Sequence, residues 1–162
     1  MKLTLDVEIP IEVQEGGELK ESLRVFFRDY TKKEKKELDA LRDKLKALYK
    51  KANKLLVQVE ITEQKIHLYD KMGESEKALE FVKQKERFIK SAENIQDEIL
   101  ALGGEKFEEK LAKKRFDLLV SGEDKEKLRK YAEIKGYGAI LNVLDMQKEK
   151  IEKKQYGALP PT

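Results

Sequence analysis

The sequence predicts a mainly α-helical protein with a small β element, on three observations. A heptad-spaced apolar series runs from Leu38 to Tyr69, and a second runs from Ala78 to Leu102 with Gly73 between them. The first residues instead alternate strictly between apolar and polar. The expected architecture is an N-terminal antiparallel β-hairpin, a long coiled-coil-like antiparallel helical hairpin and three shorter C-terminal helices. The boundaries follow as 1–30 for the β-hairpin, 31–104 for the helical hairpin, 105–156 for the C-terminal helices and 157–162 for a flexible tail ending in Pro160-Pro161.

In the first element, Leu3, Leu5, Val7, Ile9, Ile11 and Val13 share one face of a strand over residues 2–13, with Lys2, Thr4, Asp6, Glu8, Pro10 and Glu12 on the other. Pro10 lacks a backbone donor and belongs at an edge or a bulge. A second run, Leu19 to Tyr30, puts Leu19, Leu23, Val25 and Phe27 on odd positions. Facing residues must share a side of the sheet, so paired numbers should sum to an even value such as 32 or 34. A two-residue Gly16-Gly17 loop would make that sum odd, which favours a three-residue loop. Either even register sets an arginine against an acid, Arg24 with Glu8 or Arg28 with Asp6. Phe26 and Tyr30 fall with the polar set, either as packing at the start of the next helix or as an aromatic contact surface. A lone hairpin is marginal in water, so its apolar face needs a cover. Its unpaired first strand invites pairing with a second copy, giving a homo-oligomer.

The long helix opens with a capping box, Thr31 followed three residues later by Glu34. Its seam is Leu38, Leu41, Leu45, Leu48, Ala52, Leu55, Val59, Thr62, Ile66 and Tyr69. Ser75 can cap the returning helix, whose seam is Ala78, Phe81, Lys85, Phe88, Ala92, Ile95, Ile99 and Leu102, ended by Gly103-Gly104. Thr62 and Lys85 sit uneasily in a seam; there the helices should splay, or Lys85 should reach outward along its apolar stem. Beyond Gly104, one helix is expected over about 105–120. Ser121 with Asp124 is a second capping signature for a helix carrying Leu128, Tyr131, Ala132 and Ile134. Gly136-Tyr137-Gly138 interrupts it before a final helix with Ile140, Leu141, Val143, Leu144 and Met146.

Charge and composition narrow the function classes. Charged residues make up 41% of the 162-residue chain, far above the usual quarter or so, which suits extended helices with a thin core. There are no cysteines, so thiolate chemistry and cysteine-ligated zinc are excluded. No apolar run of membrane-spanning length and no signal-peptide core is present, so a soluble cytoplasmic protein without a membrane partner is expected. Residues 31–54 hold 10 basic and 4 acidic side chains, a net +6. Lys32, Lys33, Lys35, Lys36, Arg42, Lys46 and Lys50, with Lys44, Lys51 and Lys54 beside them, would be phosphate contacts if the chain bound nucleic acid. The plainer reading is neutralisation by Glu93, Asp97 and Glu98 across the hairpin.

The single histidine, His67, shares a helix surface with Glu63 and Asp70, a spacing that suits a small metal site but supplies too few ligands for one. Gly136-Tyr137-Gly138 ahead of a helix has the outline of a phosphate loop, but it lacks a third glycine and a Walker lysine, and it reads better as a tight turn with Tyr137 as a staple. No carboxyl pair sits in an apolar setting suited to acid–base work. The expectation is therefore a non-catalytic protein without cofactor or metal, binding another protein. Phe26, Tyr30, Phe107, Phe116 and Tyr137 are the candidate partner contacts, and a structural coiled-coil adaptor is a further alternative.

The opening LTLDVEIPIEV, its glycine turn and the following SLRVFFRDYTKKEKKEL, together with the later RFDLLVSGEDKEKLRKYAEIKGYGAIL, resemble the small tail assembly chaperones of long-tailed bacteriophages. The likeness covers about the first 45 residues and the stretch from 115 to 145. It implies a protein without catalytic activity that keeps the long hydrophobic helices of the tape measure protein soluble in the host cytoplasm. The long hairpin from Leu38 to Leu102 departs from that pattern, and the resemblance transfers no functional residue.

Overall fold

A computed structural model describes residues 5–157, so Lys2, Leu3 and Thr4 of the first strand and residues 158–162 of the expected tail lie outside the described residues. The structure is mainly helical, with 75% of the described residues in helix, and carries a small antiparallel sheet. It divides into two compact units. One is built from both ends of the chain, up to Lys32 and from Glu105 onward; the other is Lys33–Gly104.

The unit made from the chain ends starts with strands β1 (Asp6–Glu15) and β2 (Glu18–Arg28). From Asp6↔Arg28 to Val13↔Glu21 the paired numbers sum to 34, the even register that the apolar pattern requires. The turn is nevertheless two residues long. Gly16 and Gly17 both have positive φ, 62° and 82°, as the primed hairpin turns demand. Parity is restored by a bulge: Val13 pairs with Glu21 and Gln14 with Leu19, which leaves Lys20 as an extra residue. The expected three-residue loop is thus replaced by a tight turn plus one bulged residue. The register places Arg28 opposite Asp6, and Arg24 reaches diagonally to Glu8 with Nη1 3.5 Å from Oε1.

Helices α3 (Phe107–Leu119), α4 (Lys125–Lys135) and α5 (Tyr137–Gly157) cover the apolar face of this hairpin, after a single 3-10 turn at Gly104–Lys106. Ile9, Leu23, Val25 and Phe27 from the strands are buried with Phe116, Leu119, Leu128, Leu141 and Leu144 from the helices. Between α3 and α4 lies β3 (Val120–Ser121), which pairs with Phe26 and Phe27 and makes β2 the central strand. Ser121 therefore serves the sheet and not a helix cap. Asp124 does stand at the N-cap position of α4, but its side chain makes no cap bond. Its Oδ2 instead accepts the backbone N–H of Arg24 at 2.9 Å, which satisfies a strand donor just beyond the end of β3. Gly122 makes the corner possible. Its φ is +110°, and a Cβ there would stand 3.3 Å from Phe26 Cδ2.

The second unit is a helical hairpin of α1 (Lys32–Lys71) and α2 (Ser75–Ala101). By length, α1 spans about 60 Å and α2 about 40 Å at the α-helical rise. The predicted seam positions are withdrawn from solvent on both helices: all ten on α1 and all eight from Ala78 to Leu102 are buried or half-buried. Tyr69 stacks on Phe81 at 5.4 Å, and Lys85 Nζ lies 2.6 Å from Glu63 Oε1. These contacts bring Thr62 and Lys85 to the same level of the seam. Thr62 satisfies its hydroxyl within its own helix by donating to the Gln58 carbonyl at 2.6 Å. Lys85 crosses the interface along its apolar stem to the Glu63 carboxylate, so both seam irregularities are resolved locally. Ser75 is the first helical residue and not the cap: Glu74 stands at the N-cap position and makes no side-chain cap bond.

Candidate functional site

The five aromatic residues expected to contact a partner have different fates. Phe116 is fully buried and meets the Tyr137 ring edge-on at 5.3 Å; Tyr137 and Phe107 are buried as well. Tyr30 is half-buried against the core, beneath the Arg115 guanidinium at 5.5 Å. Phe116, Tyr137 and Tyr30 spend their surface on packing within the core of the first unit. Phe26, on the outer face of the sheet, remains exposed.

Around Gly136 the anion position at the start of α5 is filled by the protein itself. The Tyr137 backbone N–H donates to Glu109 Oε1 at 3.1 Å, so the helix N-terminus already holds a carboxylate. Gly136, with φ +96°, closes α4, and the Tyr137 hydroxyl donates to Glu133 at 2.5 Å. Burial, followed by that bond to a carboxylate, pushes the Tyr137 phenol above its ordinary value. This is the tight, stapled turn that the spacing suggested. His67 is exposed, and among the described residues no group of three or more His, Asp or Glu side chains is placed to hold a metal ion.

Fixed charges in the first unit serve packing. Arg115 Nη2 donates to both carboxylate oxygens of Asp145, at 2.9 and 3.0 Å. Arg129 binds Asp117 at 2.6 Å and Glu126 at 2.9 Å while its guanidinium lies 5.2 Å over the Phe116 ring. Lys148, 5% exposed, reaches Asp29 at 2.8 Å and Glu152 at 2.6 Å. Burial alone would lower its pKa, but the bonds to both carboxylates outweigh it and hold the value above that of a free lysine.

The basic half of α1 is exposed along its length. Among the described residues, Lys32, Lys33, Lys35, Lys36, Lys44, Lys46, Lys50, Lys51 and Lys54 have no carboxylate within 4.0 Å. Among the described residues Glu93, Asp97 and Glu98 on α2 are likewise without a lysine or arginine within 4.0 Å, so direct ion pairs do not carry the expected neutralisation across the hairpin.

The surface that sequence reasoning missed is apolar. Val57, Ile61 and Leu68, continued by Met72 just past the end of α1, recur at intervals of four, seven and four, which is one helical face. All four are exposed, and they lie on the side of α1 turned away from its seam. The signal was present in the sequence as a second period on the same helix, but the stronger heptad series masked it. No helix among the described residues is long and apolar enough to cross a membrane. Compared with known proteins, the chain matches no family model, no curated protein and no solved structure.

Proposed function

We propose that this chain is a non-catalytic protein-binding protein that holds another helical chain, and that its specific role is that of a phage tail assembly chaperone for the tape measure protein. The observation that carries the reading is the stripe Val57, Ile61, Leu68 and Met72. A helix paired along one side gains nothing from burying the other, yet these residues keep large apolar side chains in water. Their spacing suits an amphipathic helix lying alongside, as in helix-in-groove recognition. A chaperone for long hydrophobic helices needs such a surface, carried on an element soluble enough to compensate for it. The test is co-expression with the tape measure protein. The wild type should keep it soluble and co-purify with it, whereas Val57→Asp with Leu68→Asp should lose it while retaining the helical circular dichroism. Recovery equal to wild type with that double variant would sink the reading.

The unpaired lysines of α1 favour a second reading, binding to nucleic acid through phosphates. Affinity for duplex or single-stranded DNA would then fall steeply with salt and drop when Lys46 and Lys50 are made glutamate. Salt-independent or absent binding would remove this alternative. The outer edge of β1 also offers self-association by strand pairing, since β1 is an edge strand with only Pro10 interrupting its donors. Val7→Pro should dissociate an oligomer held that way, and sedimentation would show it.

A further inference from the structure

The two flanks of the hairpin seam differ in kind. On one side α1 presents Lys51, Gln58 and Lys65 and α2 presents Gln84, Ser91 and Glu98, all exposed and polar. On the other side α1 presents Tyr49, Leu56 and, toward the hairpin turn, Glu63, and α2 presents Val82, Ile89, Gln96 and, one position further round, Leu100. Leu56 and Leu100 are more than half exposed, at 55% and 58%. Between the helices on this side runs an open, mostly apolar groove of about 300 Å³, lined by Leu56, Val59, Ile89 and Ala92 with Glu93 and Gln96 at its rim. In an antiparallel pair the positions following each seam residue on both helices emerge on the same side. The apolar flanks of α1 and α2 therefore combine into a single face.

We infer that this face is where two copies of the chain meet, hairpin against hairpin, as a four-helix bundle. The rims of the face carry the argument for a second copy. Lys46 and Lys50 border it on α1, and Glu93 and Asp97 border it on α2; all four are exposed, and none has an ion pair among the described residues. With a twofold axis along the hairpin, each α1 lies beside the α2 of the other copy at the same level. The seam contacts define those levels: Lys85 meets Glu63, so Tyr49 is level with Ile99 and next to Leu100, Leu56 is level with Ala92, and Lys50 with Glu98. The bundle thus stacks Tyr49 on Leu100 and Leu56 on Ile89 of the other copy. It also sets Lys50 within one residue of the level of Asp97 twice, once at each side of the axis, with Lys46 and Glu93 flanking that pair along the rims. Charges at such flanking positions choose both partner and orientation. The inference concerns a different face from the Val57–Met72 stripe and does not rest on the chaperone reading.

Charge reversal tests it on the full chain. The wild type should sediment as a dimer. Lys46→Glu with Lys50→Glu, or Glu93→Lys with Asp97→Lys, should each weaken dimerisation by roughly tenfold or more, and the variant carrying all four substitutions should regain it. Leu56→Glu with Ile89→Glu should give a monomer with unchanged helical circular dichroism. Three results would overturn the inference: a wild-type monomer at all accessible concentrations, a dimer indifferent to both reversals, or a dimer lost with Val7→Pro but kept with Leu56→Glu and Ile89→Glu, which would place the contact at the sheet edge.

Discussion

Lys148 gives the sharpest test of how the first unit is held together. Its ammonium is almost wholly buried, yet the two carboxylates that hold it lie toward solvent: the Asp29 side chain is 76% exposed and that of Glu152 40%. The two sides of the cluster should therefore respond differently to mutation. Replacing Asp29 and Glu152 together by alanine strands a buried charge. An uncompensated buried ion costs about 3–5 kcal/mol, and partial access to water reduces this to roughly 2–3 kcal/mol here. Lys148→Met removes the ion itself, keeps most of the stem volume and leaves both carboxylates free to hydrate, so its effect should stay within about 1 kcal/mol. Hydrogen exchange of the β2 amides, which report opening of this unit, measures both. The sign of the pH dependence is also determined. The Lys148 pKa is raised in the folded state, so its stabilisation is complete below the ordinary lysine value of 10.5 and is lost as the pH rises through the higher folded value. That alkaline loss should be smaller in Lys148→Met. If Lys148→Met costs as much as the double alanine variant, burial of the ion is not the governing term and the reasoning fails.

Other predictions follow from the same geometry. Thr62→Val with Lys85→Leu should stabilise the helical hairpin by about 1–3 kcal/mol, because apolar residues then fill the one polar level of the seam; thermal unfolding followed by circular dichroism would read it, and a lower midpoint would count against the register. Gly122→Ala should destabilise the first unit by about 1–2 kcal/mol through its positive φ and the close Phe26 ring, and urea unfolding would measure it. In the hairpin, the Lys85 bond and then its charge lower the Glu63 pKa, so that contribution is present above the ordinary glutamate value of 4.5 and fades as the pH falls through the depressed one. Lys85→Leu should remove this acid sensitivity.

The helical hairpin was legible almost residue by residue, since a seam of period 3.5 is a local pattern that one partner suffices to satisfy. The sheet register was legible for the same kind of reason: apolar parity forced an even sum. The way that sum is reached was not, because a two-residue turn plus a bulge and a three-residue loop satisfy the same parity. Ser121 and Asp124 show a different limit. Their spacing fits a capping box, but β2 offered the Asp124 carboxylate a donor 100 positions away, and no local pattern announces that bond. The aromatic residues proposed as contacts were chosen by size. Phe116 and Tyr137 fill the core because the β-hairpin needs three helices to cover it, and that demand appears only once the chain ends are brought together.

The central claim is that the outward stripe of α1 is covered by another helical protein. A photo-reactive amino acid placed at Leu68, in the protein expressed in its native cell, tests this most directly by recording what lies against that position. The account predicts one dominant crosslink to a helical protein, the tape measure protein in the specific form proposed, and its loss when Val57 and Ile61 are made aspartate. A crosslink to nucleic acid, or no crosslink above that of an exposed control at Lys51, would contradict it.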